Sequence, residues 1–110
     1  MPYRKLKGVL ALFLGFAALP AQANTDRDYQ HVKWTQIDAR PCLFFTLQDI
    51  NEADPVQPGS GWFAIPTTSA NYQTLASVLL SSKLTGQSLD VMTDGTTSCG
   101  YATASMLRFD

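Results

Sequence analysis

The chain has 110 residues, eight Lys and Arg against nine Asp and Glu, one His and two Cys. That length holds one domain. With no basic excess it lacks the footprint of a nucleic-acid binder, whose affinity comes largely from Lys and Arg on phosphates.

The chain opens on an export pattern. Arg4, Lys5 and Lys7 form a positive start, Val9 to Leu19 is an apolar run broken only by Gly15, and Ala21-Gln22-Ala23 follows Pro20. A basic start, a short apolar stretch and a small-x-small site together read as a cleavable signal peptide over residues 1–23. The run has 11 residues, and a membrane-spanning helix needs roughly 20, so no membrane span is expected after cleavage. The expected destination is secreted or periplasmic in a bacterium.

Residues 24–110 form a single expected domain of 87 residues. Its five bases, Arg27, Lys33, Arg40, Lys83 and Arg108, stand against all nine acids, a net charge of −4. A core that small is marginal. Cys42 and Cys99 are the only cysteines, and an even count in a small exported domain reads as a disulfide. The bridge closes a loop of about 58 residues, which the chain-entropy model values at roughly 4 kcal/mol.

Asn24 to Tyr29 is a polar lead-in. His31 to Ala39 alternates with a change of parity, Val32 and Trp34 against Ile37, which predicts a strand with a bulge. Cys42 to Leu47 (CLFFTL) is apolar on both parities, as in a strand buried on both faces. Asp49 to Gly61 carries two Pro, two Gly and three acids and reads as a long solvated loop. Trp62 to Ile65 is a short strand ended by Pro66.

Tyr72, Leu75, Ala76 and Leu79 then mark one helix face, widened by Val78 and Leu80. Ser69 or Asn71 is its expected side-chain cap, and Lys83 with Gly86 its stop. Ser88 to Thr93 is a fourth strand, Asp94-Gly95 a turn, and Tyr101 to Phe109 the last strand. Ala102, Ala104 and Met106 lie on one side of it, and Tyr101, Thr103, Ser105, Leu107 and Phe109 on the other. The order strand-strand-strand-helix-strand-strand is that of the OB-fold, a five-stranded barrel. The alternative is an open antiparallel sheet with one packed helix.

Enzyme chemistry finds little support. His31 is the only histidine, and a Ser-His-Asp or Cys-His device needs a partnered one. No Cys, His or carboxylate spacing matches a zinc site, and no glycine loop cradles phosphate. Asp49, Asn51, Glu52 and Asp54 crowd one loop, but Asp54 stands where a calcium loop needs Gly. No enzyme activity, metal or cofactor is expected. The aromatics are more informative. Trp34, Trp62 and Tyr101 sit beside polar loops and suit sugar stacking or subunit contact. The hydroxyls of Thr96, Thr97 and Ser98 suit hydrogen bonding to a sugar.

The layout resembles the B-subunits of AB-type bacterial toxins, in particular the subtilase-cytotoxin and typhoid-toxin group. The matching stretches are the Trp34 strand, Cys42 opening a Phe-rich strand, Trp62-Phe63-Ala64-Ile65, the helix Tyr72 to Leu84 running into Thr85-Gly86-Gln87, and Cys99-Gly100-Tyr101 entering the last strand. The resemblance covers Trp34 to Phe109 and is one of order and spacing. It implies an OB-fold, export, assembly into a pentamer and binding of glycans. The rival expectation is a periplasmic factor that binds another protein, such as an immunity or inhibitor protein, with the acidic charge steering it to a basic partner.

Overall fold

The run Cys42 to Leu47 carries large apolar side chains on both sides of one strand, and the fold covers both. The computed structural model describes residues 29–110. The expected export segment, residues 1–23, lies outside the described residues. Five strands and one helix follow in the expected order: β1 Val32–Ile37, β2 Cys42–Leu47, β3 Trp62–Pro66, α1 Tyr72–Thr85, β4 Leu89–Ser98 and β5 Tyr101–Phe109.

The strands form one mixed sheet in the order β1-β2-β3-β5-β4. All neighbours are antiparallel except β3 and β5, which run parallel. The parallel pair arises because α1 and β4 lie between them in the chain, so β5 re-enters in the direction of β3. The closed barrel expected from the sequence does not form as a continuous ladder. The two end strands meet only at an isolated bridge, where Gln30 and Leu89 exchange two hydrogen bonds of 2.8 Å. Beyond that point the Lys33 carbonyl accepts from the Lys83 ammonium of α1 at 2.8 Å, not from a β4 amide. The sheet is therefore open, and it is mixed where the alternative reading had it wholly antiparallel.

Alternation sorts the side chains into two layers. Leu43, Phe45 and Leu47 of β2 face inward with Phe63 and Ile65 of β3, Leu89 and Val91 of β4, and Ala102 and Ala104 of β5. Leu79 of α1 closes this core, and Phe45 stacks on Phe63 with ring centroids 4.9 Å apart. Tyr72, Leu75, Ala76 and Val78 pack partly against it. Leu80 does not widen that face as expected; one residue past Leu79 it points to solvent. Cys42, Phe44 and Ala64 face the other way and form a second, smaller cluster with Trp62, Cys99 and Tyr101.

Two bulges set these faces. Register shifts between Val32 and Trp34, so Val32 points into the core and Trp34 away from it. The second shift, between the Met92–Met106 and Thr93–Ala104 pairs, makes Ser105 the extra residue of β5. Parity changes there, so Leu107 and Phe109 join Ala102 and Ala104 on the core side while Met106 leaves it. Strict alternation along β5, as read from the sequence, is thereby corrected.

Three local expectations change as well. Asp94-Gly95 is not the hairpin turn. β4 continues to Ser98, and the three residues Asp94 to Thr96 bulge opposite Thr103. Gly95 supplies φ +83° there, and the Asp94 carboxylate accepts from the Thr96 amide at 2.9 Å. The hairpin turns at Cys99 and Gly100, both with positive φ (53° and 91°), the signature of a type I′ turn. Asn71 precedes α1 at φ −104°, ψ 18° and makes no side-chain cap; that backbone lies outside the extended region from which a capping side chain reaches the free amides. Gly86 closes α1 as expected, at φ +77° with its amide on the Ser82 carbonyl.

The acidic loop between β2 and β3 is not wholly solvated. Ala53 and Asp54 are completely buried. The Asp54 carboxyl accepts from the Val56 amide at 2.8 Å and from the Thr93 hydroxyl of β4. This contact pins the loop to a strand 39 positions away. Replacing Thr93 by the near-isosteric Val removes one hydrogen bond to the buried carboxyl. The expected loss is about 1–3 kcal/mol, read as a lower urea midpoint at unchanged slope.

Candidate functional site

The outward face of the sheet carries the site. Trp34 of β1 and Trp62 of β3 both pair with Thr46 of β2, so the three lie in one row on one face. The Trp34 amide donates to the Thr46 hydroxyl at 3.2 Å. Thr46 is small, and a tryptophan flanks it on either side. Trp34 is 59% exposed and Trp62 half-buried. The row continues to Tyr101 of β5, whose ring centroid is 6.1 Å from that of Trp62.

A cleft of about 410 Å³ opens here, within the size range of small-molecule sites. Lys33, Trp34, Thr46, Asp49, Asn51 and Trp62 line it. The loop between β2 and β3 builds one wall. It is folded on itself by a bond of 2.7 Å from the Ala53 amide to the Ser60 carbonyl, and anchored below by Asp54. At its end a Cβ on Gly61 would lie 2.7 Å from the Ile50 carbonyl oxygen. Only glycine lets the two arms of the loop approach so closely. These contacts hold the wall against the sheet.

At the other end of the row the disulfide and Arg40 lock the face. Cys42 opens β2 and Cys99 begins the β4–β5 turn; they are bonded, as the cysteine count predicts. The Arg40 guanidinium lies 4.2 Å from the centroid of the Phe44 ring and 5.5 Å from that of Tyr101. It donates to both carboxylate oxygens of Asp38, at 3.1 and 2.6 Å, and to the Cys99 carbonyl at 3.3 Å. These Arg40 hydrogen bonds hold the Asp38 carboxyl well below the usual carboxylate range. The same pair raises Arg40 further above its ordinary value. A depressed carboxyl contributes its full stabilisation above its unfolded pKa and loses it progressively as pH falls from there through the folded value. Carbon-detected NMR is therefore expected to show Asp38 still ionised at pH 3, where a free Asp is largely protonated.

The structure separates the residues singled out from the sequence. Trp34 and Trp62 line one cleft, and Tyr101 abuts Trp62. Thr96, Thr97 and Ser98 lie outside it, at the end of β4. The Thr96 hydroxyl is 2.6 Å from the Asp94 carboxylate, and the Ser98 hydroxyl is 2.7 Å from that of Thr103. The Thr96 and Ser98 hydroxyls both meet that of Thr103, and Thr97 is exposed. The sequence reading missed Lys33, Thr46, Asp49 and Asn51 as cleft residues. Thr46, the one polar residue in CLFFTL, is the available signal; Asp49 and Asn51 stand out in the sequence only as part of an acidic loop.

The cleft offers two indole faces, a hydroxyl, a carboxylate, an amide and an ammonium. Groups of these kinds are able to stack on a ring and to exchange hydrogen bonds with hydroxyls. Among the described residues, Asp49 is the carboxylate that lines it. Among the described residues no group of three or more His, Cys, Asp or Glu stands ready to hold a metal, and no helix is long and apolar enough to cross a membrane. Compared with known proteins, the chain matches no family model, and no curated protein is a match.

Proposed function

We propose that the protein is an exported, non-enzymatic binding module that takes carbohydrate in the Trp34–Trp62 cleft. One observation carries this reading: two tryptophans flank a cleft that Lys33, Thr46, Asp49 and Asn51 also line, beside Leu47 and Ile50. Stacking on an indole rewards the C–H face of a sugar, and the rim groups take its hydroxyls. The disulfide accords with an oxidising compartment, secreted or periplasmic. The strand order and helix position accord with the OB-type layout of toxin B-subunits. A glycan array probed with the exported protein tests the proposal. Binding that disappears in Trp34→Ala supports it; a blank array with folded protein overturns it.

A second reading, contact with protein, has its own observation. Leu80 and Leu84 lie one turn apart on α1, and Leu84 is 86% exposed. Exposed leucines at that spacing suit a subunit contact, such as a ring of five copies, or a separate protein partner. Light scattering separates these: a pentamer favours the ring, a monomer the partner.

A further inference from the structure

We infer that the ligand is an extended β-1,4-linked chain of hexose or N-acetylhexosamine units lying across the strands. The inference rests on the carbohydrate reading above and adds the class of sugar. Its basis is spacing. Trp34 and Trp62 flank Thr46 across two strand intervals, so their backbones lie about 10 Å apart. Tyr101, on the next strand, extends the row to about 14 Å.

Those intervals match the ligand chemistry. A β-1,4-linked hexose chain is a flat ribbon, and two rings advance it by about the two-strand distance. All its large substituents are equatorial. Its ring faces are therefore C–H surfaces, and its edges are rows of hydroxyls. Trp34 and Trp62 stack on rings one apart in the chain, and the intervening ring sits over Thr46. Asp49, Asn51 and Lys33, along one side of the cleft, meet one hydroxyl edge. An α-1,4-linked chain coils and reaches one platform at a time. A single terminal sugar uses one indole and leaves the other empty.

The test is affinity against chain length, by calorimetry on the exported protein. The probes are cello- and chito-oligosaccharides of two to six units, with maltohexaose and a set of branched glycans as controls. Affinity is expected to rise about tenfold or more between the disaccharide and the tetrasaccharide, then level off. Trp34→Ala should abolish most of that rise. Trp34 is mostly solvent-exposed, so this variant keeps its fold. A flat dependence on length, or a preference for maltohexaose, overturns the inference. Binding of branched glycans alone overturns it but leaves the carbohydrate reading standing, whereas binding of no carbohydrate removes both.

Discussion

Replacing Cys42 and Cys99 together by Ala is expected to lower the unfolding free energy by about 2–5 kcal/mol. The bridge joins residues 57 positions apart, so the unfolded chain without it gains the freedom of a long loop. The sheet has no continuous ladder between its end strands to compensate; a single bridge at Gln30 and Leu89 links them. The total net stability of so small a domain is about 5–15 kcal/mol, so the loss is a large fraction of it. Calorimetric melting of the variant should show a midpoint lower by at least about 10 °C. An unchanged midpoint would mean that the Arg40 cluster alone holds the β4–β5 turn against β2.

Trp62→Ala is expected to weaken carbohydrate binding by about 30-fold or more, the range of a central aromatic anchor. Its effect differs from that of Trp34→Ala. Trp62 also packs beside Tyr101 and against the Cys42, Phe44 and Ala64 cluster, so its loss costs stability as well as binding. Trp34 is mostly exposed, and its replacement should move the unfolding midpoint little. A titration of each variant beside its melting curve separates the two effects.

The sequence made the element order legible because its breaks are local. Pro41, Pro66 and Gly86 end segments through their own backbone chemistry. A bulge in β1 was legible from the mixed parity of Val32, Trp34 and Ile37, but its place was not: the shift falls between Val32 and Trp34, which the sequence puts on one parity, and sends them to opposite faces. The bulge at Ser105 was not legible, because Met106 and Leu107 are both apolar and either parity gives a plausible face. Asp94-Gly95 carried correct turn chemistry, but the outcome, a bulge in place of a hairpin, depends on pairing with β5. The burial of Asp54 was invisible because its partner, Thr93, is distant in the chain. The site divides along the same line. Trp34 and Trp62 stood out as aromatics beside polar loops, but that Thr46 brings them into one cleft is a matter of register, which no single segment encodes.

The most direct test of the account uses the two tryptophans themselves, since the chain contains only Trp34 and Trp62. Nitrogen-15 NMR gives one indole N–H signal for each. On titration with a bound carbohydrate, both indole signals and the amides of Thr46, Asp49 and Asn51 are expected to shift together along one saturable curve. Carbohydrate binding that leaves both indoles unmoved, with shifts confined to α1 or to the Thr96–Ser98 end of β4, would contradict it.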